Sequence, residues 1–167
     1  GFICSMKRFL AAAADILLPR SCVVCGRSLL LSEEHICLEC LSDMPLTRYW
    51  ERKHNEMADR FNAQICKNSQ PEPGQPYEAY CQAAALFFFS SDGPYRNIPY
   101  KIKYEGYIQS GRFFGGMLGR YLASSPAYSD LDIVIPVPLH WTRKWSRGYN
   151  QAEVIAMAVA EELGVPM

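Results

Sequence analysis

The chain has no net charge, since 17 lysines and arginines stand against 17 aspartates and glutamates. Nothing global therefore draws it to a polyanion, and contact with nucleic acid would have to come from a local basic patch. It also lacks a long apolar run: no stretch approaches the ~20 residues needed to cross a bilayer. Lys7 and Arg8 ahead of Phe9-Leu-Ala-Ala-Ala-Ala resemble the start of a secretory signal. Asp15 soon interrupts that run, however, and Pro-Arg-Ser-Cys22 is no lipoprotein cleavage site. The segment is read instead as an amphipathic helix with Phe9, Ile16 and Leu17 on one face. A dinucleotide loop is missing too. Gly115-Gly-Met-Leu-Gly119 has the wrong spacing for one and no strand before it. With 167 residues the chain can bury one sizeable core, or one core plus a small stapled module.

Cysteine, by contrast, is plentiful: there are seven, four of them in two Cys-x-x-Cys pairs. Cys22-Val-Val-Cys25-Gly26 is followed by Cys37-Leu-Glu-Cys40, with eleven residues between Cys25 and Cys37. Tetrahedral zinc takes four soft ligands, and two close pairs joined by one turn of chain supply them. Gly26 suits the tight turn of a knuckle, where a positive φ is tolerated. Arg20 and Arg27 flank the site and would offset excess thiolate charge. A redox dithiol would not need a second pair, and nothing else suggests an iron–sulfur cluster. His35 is read as a surface residue rather than a fifth ligand. The implied ion is structural, with no open coordination position, and would supply most of the module's folding energy. An odd cysteine total with paired spacing fits zinc thiolates in a reducing compartment, so the expected location is cytoplasmic. Cys4, Cys66 and Cys81 stand apart and are read as isolated thiols.

Residues 132–151 are the stretch around which the rest is organised. Ile133 to Ile135 have the look of a buried strand, and Pro136 and Pro138 stop it because neither donates to a ladder. A loop with Arg143, Lys144 and Arg147 closes on Gly148, and a helix starts at Gln151 with Ala152, Ile155, Ala156 and Val159 at helical spacing. A basic loop at the carboxyl end of a strand, feeding a helix N-terminus, suits a phosphate or pyrophosphate.

Between these landmarks the spacing predicts further elements. A short helix begins at Cys37 and ends at Pro45. Trp50, Met57, Phe61 and Ile65 share one face of a charged helical stretch, and residues 67–76 are a linker by composition. Residues 81–90 read as a strand buried on both faces, ending in three phenylalanines. Those rings could alternatively stack bases of single-stranded nucleic acid. Residues 94–106 form a helix opened by Pro94, disturbed by Pro99 and closed by Gly106. Lys103 and Tyr104 sit at its end, where the helix dipole and a ligand explain them about equally well. Residues 107–124 form a helix with Gly111, Gly115 and Gly119 on one face, allowing close approach to a neighbour.

The order Cys22-x-x-Cys25-Gly26, Cys37-x-x-Cys40, Pro94-Tyr95-Arg96, Lys103-Tyr104-x-Gly106, Ile135-Pro-Val-Pro-Leu-His140 and Arg147-Gly148-Tyr149-Asn150-Gln151-Ala152 resembles the ComF family of phosphoribosyltransferase-like proteins, with its GntX-like relatives. The match runs from about residue 15 to the end and is weakest over 46–80. The resemblance implies an α/β fold: an N-terminal zinc ribbon, then a partial type I phosphoribosyltransferase-like parallel sheet with flanking helices. The corresponding divisions are 1–45 for helix and ribbon, 46–78 for a helical segment and linker, and 79–167 for the transferase-like domain. It also implies that Arg143, Arg147, Gly148, Asn150 and Gln151, with Lys103 and Tyr104, contact phosphoribosyl pyrophosphate or a nucleotide. Mg2+ would accompany the diphosphate in the full-length protein. Family association with DNA uptake adds single-stranded DNA and other competence proteins as implied partners. A non-catalytic interaction module is the remaining alternative. The acidic pair and Thr/Gly-rich loop that hold the ribose phosphate in type I enzymes do not occur in these 167 residues. The expectation is accordingly a fragment or natural truncation whose transferase activity is uncertain, and which is inactive alone.

Overall fold

The computed structural model describes residues 20–68, 80–139 and 148–167. The N-terminal amphipathic helix, Cys4, most of the predicted linker, and the loop residues Arg143, Lys144 and Arg147 lie outside the described residues. Two compact units emerge, each discontinuous in sequence: Gly1–Met44 with Phe89–Ser110, and Pro45–Phe88 with Gly111–Met167.

The first unit is built on the paired-cysteine module. Cys22 N–H donates to the Arg27 carbonyl at 2.8 Å and Gly26 N–H to the Cys22 carbonyl at 2.9 Å. Gly26 adopts φ +78°, the left-handed turn for which glycine was expected. Helix α1 (Leu38–Ser42) starts on Cys37, whose sulfur caps it by accepting the Cys40 N–H. A single 3-10 turn (Pro94–Arg96) then leads into α2 (Asn97–Tyr104). Pro99 falls in the first turn of α2, where its missing donor costs no intrahelical bond. Ile98 and Ile102 are buried on this helix, and Val23, Val24 and Ile36 in the ribbon. Two polar ties join these parts: Asn97 Nδ2 donates to the Val24 carbonyl at 2.9 Å, and the Tyr95 hydroxyl to the Cys40 carbonyl at 2.8 Å.

The second unit contains α3 (Glu56–Asn68), most of α4 (Ile108–Ala123) and α5 (Gln151–Leu163). On α3 the buried residue is Ala58, with Asn62 and Ile65 partly covered, whereas Met57 and Phe61 are exposed. The predicted Trp50–Met57–Phe61–Ile65 face is therefore not the packed one, and Trp50 belongs to a separate 3-10 turn, stacked on Tyr121 at 4.3 Å. The glycine stripe behaves as its spacing predicts. A side chain on Gly115 would begin 2.9 Å from the Ile155 carbonyl oxygen, and one on Gly119 would begin 2.8 Å from Glu162 Cβ, so α4 and α5 touch backbone to backbone. Gly164 ends α5 at φ +69°.

The parallel sheet expected from the sequence does not form among the described residues. They contain only two isolated antiparallel bridges, Ser21 with Ser28 and Leu46 with Phe87. Residues 81–90 form no strand beyond the bridge at Phe87 and bend at Leu86, and side-chain amides hold the start of the segment. Asn62 exchanges two hydrogen bonds with the backbone of Cys81, and Asn55 Nδ2 donates to the Ala83 carbonyl at 2.9 Å. Phe88 and Phe89 are 50% and 65% exposed, so the reading of a strand buried on both faces is corrected. Residues 133–137 likewise form no strand and are not buried, with Ile135 77% and Val137 75% exposed. Their backbone is tied by Val134 N–H to the Pro166 carbonyl at 3.0 Å and by Asn150 Nδ2 to the Val137 carbonyl at 3.3 Å. Without a partner strand, alternation cannot bury a face. Among the described residues no helix is long and apolar enough to cross a membrane.

Candidate functional site

The two cysteine pairs converge. The sulfurs of Cys22, Cys25, Cys37 and Cys40 all lie within 4.8 Å of one another. A tetrahedral ion with metal–sulfur bonds of about 2.3 Å requires sulfurs about 3.8 Å apart. Cys25 and Cys37 stand at 3.8 Å, so the donor set and its spacing fit a single ion of that kind. Cys22 and Cys37 are fully buried, Cys40 is half-buried and Cys25 faces solvent, as for a closed site at the rim of a knuckle.

The backbone prepares these sulfurs for a cation. Burial alone would push the Cys22 thiol up, but N–H groups of Cys25, Cys37 and Val24 converge on it and bring it down to about 6. The Cys37 N–H reaches the Cys22 sulfur at 3.4 Å. Burial raises the Cys40 thiol, and contacts with Cys37 and Cys25 and the Cys22 charge raise it further. A bound divalent cation reverses that second trend, because a coordinated thiol loses its proton outright.

The flanking groups take separate places around the site. Arg27 binds Glu33 at 3.1 Å and Glu39 at 3.4 Å while feeling the charge of Cys37, as an offsetting cation should. Arg20 donates to the carbonyls of Glu33 and Leu30. His35 is not a surface residue. It is half-buried at φ +58°, with Nδ1 3.0 Å from the buried Ser110 hydroxyl, and is not among the clustered ligands.

The remaining predicted site residues divide between the units. Lys103 and Tyr104, at the end of α2, line an open groove of about 460 Å3 with Phe89, Arg96, Pro99 and Tyr100. Phe89, Tyr100 and Tyr104 are 65%, 54% and 62% exposed, and the two tyrosine rings lie 5.1 Å apart. The sequence reasoning missed Arg96 and Tyr100 as groove residues. Their i, i+4 and i+8 spacing to Tyr104 was the available signal. In the other unit Gly148 takes φ +77°, Asn150 caps α5 by accepting the Ala152 N–H at 3.1 Å, and Gln151 is the first helical residue. Both ends of the Asn150 amide are thus used within the protein, since its Nδ2 holds the Val137 carbonyl. Arg143 and Arg147 fall outside the described residues.

No family model matches the chain, and no curated protein or solved structure matches it at a significant level.

Proposed function

We propose that this chain is a ComF-like protein of phosphoribosyltransferase type, with its ribbon closed by a structural zinc ion. Its loop at 140–151 holds the diphosphate of phosphoribosyl pyrophosphate or a nucleotide, accompanied by Mg2+, in the service of DNA uptake. The observation that carries the reading is the entry to α5. A left-handed Gly148 and the capping Asn150 turn the chain into a helix of 13 residues directly after the basic loop of the sequence. Asn150 engages the Ala152, Glu153 and Val154 N–H groups of its first turn, and the helix dipole there presents a partial positive charge to an anion. Calorimetric titration of the full chain with phosphoribosyl pyrophosphate and Mg2+ should give saturable heat. Arg147→Ala should weaken that binding by about 10- to 100-fold, the worth of a charge-assisted hydrogen bond. Unchanged affinity in the variant would remove the diphosphate assignment.

The groove on α2 favours a second reading, single-stranded DNA. Three exposed rings with Arg96 and Lys103 beside them offer stacking surfaces and phosphate partners. Phe89→Ala should then cost roughly 1–3 kcal/mol of single-strand affinity. The logarithm of affinity should also fall linearly with the logarithm of salt concentration. A flat salt response, or full affinity in the variant, counts against this reading.

A further inference from the structure

The loop between the cysteine pairs contains a buried carboxylate that the metal ligands do not explain. Glu33 is 2% exposed overall. One carboxylate oxygen accepts the Leu38 N–H at 2.8 Å and the Arg27 guanidinium at 3.1 Å, and the other accepts the Leu30 N–H at 2.8 Å. These three donors come from three different places. Arg27 follows the first knuckle, Leu30 lies in the loop, and Leu38 is the first residue of α1, next to the ligand Cys37. The Glu33 main chain is used as well, its N–H donating to the Leu30 carbonyl at 3.0 Å and its carbonyl accepting Arg20 at 3.0 Å.

A carboxylate in that position fixes the distance between the two halves of the site. Leu38 N–H is bonded to Glu33 while the adjoining Cys37 N–H is bonded to the Cys22 sulfur, so the peptide carrying one ligand is oriented from both sides. Arg27 bridges from the carboxylate to Glu39 beside Cys40 and carries positive charge towards Cys37. Removing the carboxylate would leave the Leu30 and Leu38 N–H groups without this acceptor and Arg27 with Glu39 alone of its two carboxylate partners, a destabilising loss. Glu33 is not a ligand: the clustered donors are the four cysteines alone.

We propose that Glu33 is a positioning residue of the metal centre, which holds the two cysteine pairs at ligand spacing and joins them to the cation Arg27. The inference rests on the zinc reading of the four cysteines. Outer-shell partners of this kind typically govern metal affinity by 10- to 100-fold.

The test uses the full chain loaded with zinc, then challenged with a chromophoric chelator. Glu33→Gln keeps the size but turns an N–H2 towards a donor, and should weaken zinc by about 10- to 100-fold. Glu34→Gln, at the exposed neighbouring position, should leave affinity unchanged. In cobalt-loaded protein the thiolate-to-metal charge-transfer band of Glu33→Gln should keep its four-thiolate intensity while the d–d bands shift or broaden. A purely structural role away from the ion would leave the d–d bands alone. Should Glu33→Gln fail to fold, Glu33→Asp retains the charge but is one methylene short, and should show an intermediate loss of affinity. Wild-type zinc affinity in whichever of these variants folds overturns the proposal, as do d–d bands identical to those of the wild type. Failure of the wild-type chain to hold zinc at all would instead defeat the zinc reading, and this inference with it.

Discussion

Replacing Cys22 by serine should empty the metal site and unfold the ribbon. Cys22 is fully buried, its sulfur accepts the Cys37 N–H, and converging N–H groups bring its thiol down to about 6. Serine leaves a poor ligand there and three thiolates to hold the ion. The ribbon has little to fall back on, since among its described residues the buried apolar ones beside the cysteines are Val23, Val24, Ile36 and Met44. A module of that size does not fold on burial alone, and structural zinc contributes on the order of 10 kcal/mol or more in comparable small modules. Elemental analysis after dialysis should find one zinc per wild-type chain and close to none in Cys22→Ser. A thermal melt should show the first unit lost at low temperature, and chelator should reproduce that melt in the wild type. A Cys22→Ser chain with full zinc and an unchanged melt would show that the cluster is not a metal centre.

Gly115→Ala should destabilise the protein while the adjacent Gly116→Ala stabilises it. Both glycines lie inside α4, where alanine is intrinsically better by about 1 kcal/mol. Their surroundings decide the sign. A methyl on Gly115 would meet the Ile155 carbonyl oxygen at 2.9 Å and Ala158 Cβ at 3.1 Å, and the first of these is backbone that moves only if α5 moves. A methyl on Gly116 would meet nothing nearer than the flexible ends of Glu162 and Arg120, at 3.4 and 3.5 Å. Overpacking of this kind typically costs about 1–3 kcal/mol, more than the propensity gain returns, and Gly115→Val should lie beyond that range. The ion pairs Arg112–Glu161 at 3.0 Å and Arg120–Glu162 at 2.7 Å bridge the same helices. They are solvent-exposed and too weak to compensate. Urea denaturation of the two alanine variants is sufficient, and shifts of the same sign would show that the helices do not meet along this stripe.

Several features were legible because they depend on chemistry a few residues long. The paired cysteines with Gly26 specify a knuckle, and the sulfurs do converge. The glycine period on α4, the start of α5 at Gln151 and its end at Gly164 follow from steric and capping rules that act within one or two turns. The ComF resemblance also belongs to the sequence, through motif order, and it carries the proposed diphosphate loop whose arginines lie outside the described residues.

Other features needed the chain's long-range arrangement. The exposure of Phe88 and Phe89 depends on what covers residues 81–90: Asn62 and Asn55 hold the backbone at Cys81 and Ala83, while Pro45 and Thr47 bond the backbone of Phe88 and Leu86. Ile133, Ile135 and Val137 alternate as a strand should, yet alternation states only which residues share a face. The packed side of α3 runs through Ala58 because Asn62 and Asn55 reach across to Cys81 and Ala83, links over 19 and 28 residues that no local period encodes. Glu33 and His35 look like surface residues in a charged loop, and only folding gives the first its three donors and the second its contact with Ser110. The sequence by itself determined the cysteine cluster, the turns and the helices, since their causes are local. Tertiary structure alone decided which faces are covered and which polar groups are buried, because burial is set by whatever distant segment arrives to exclude water.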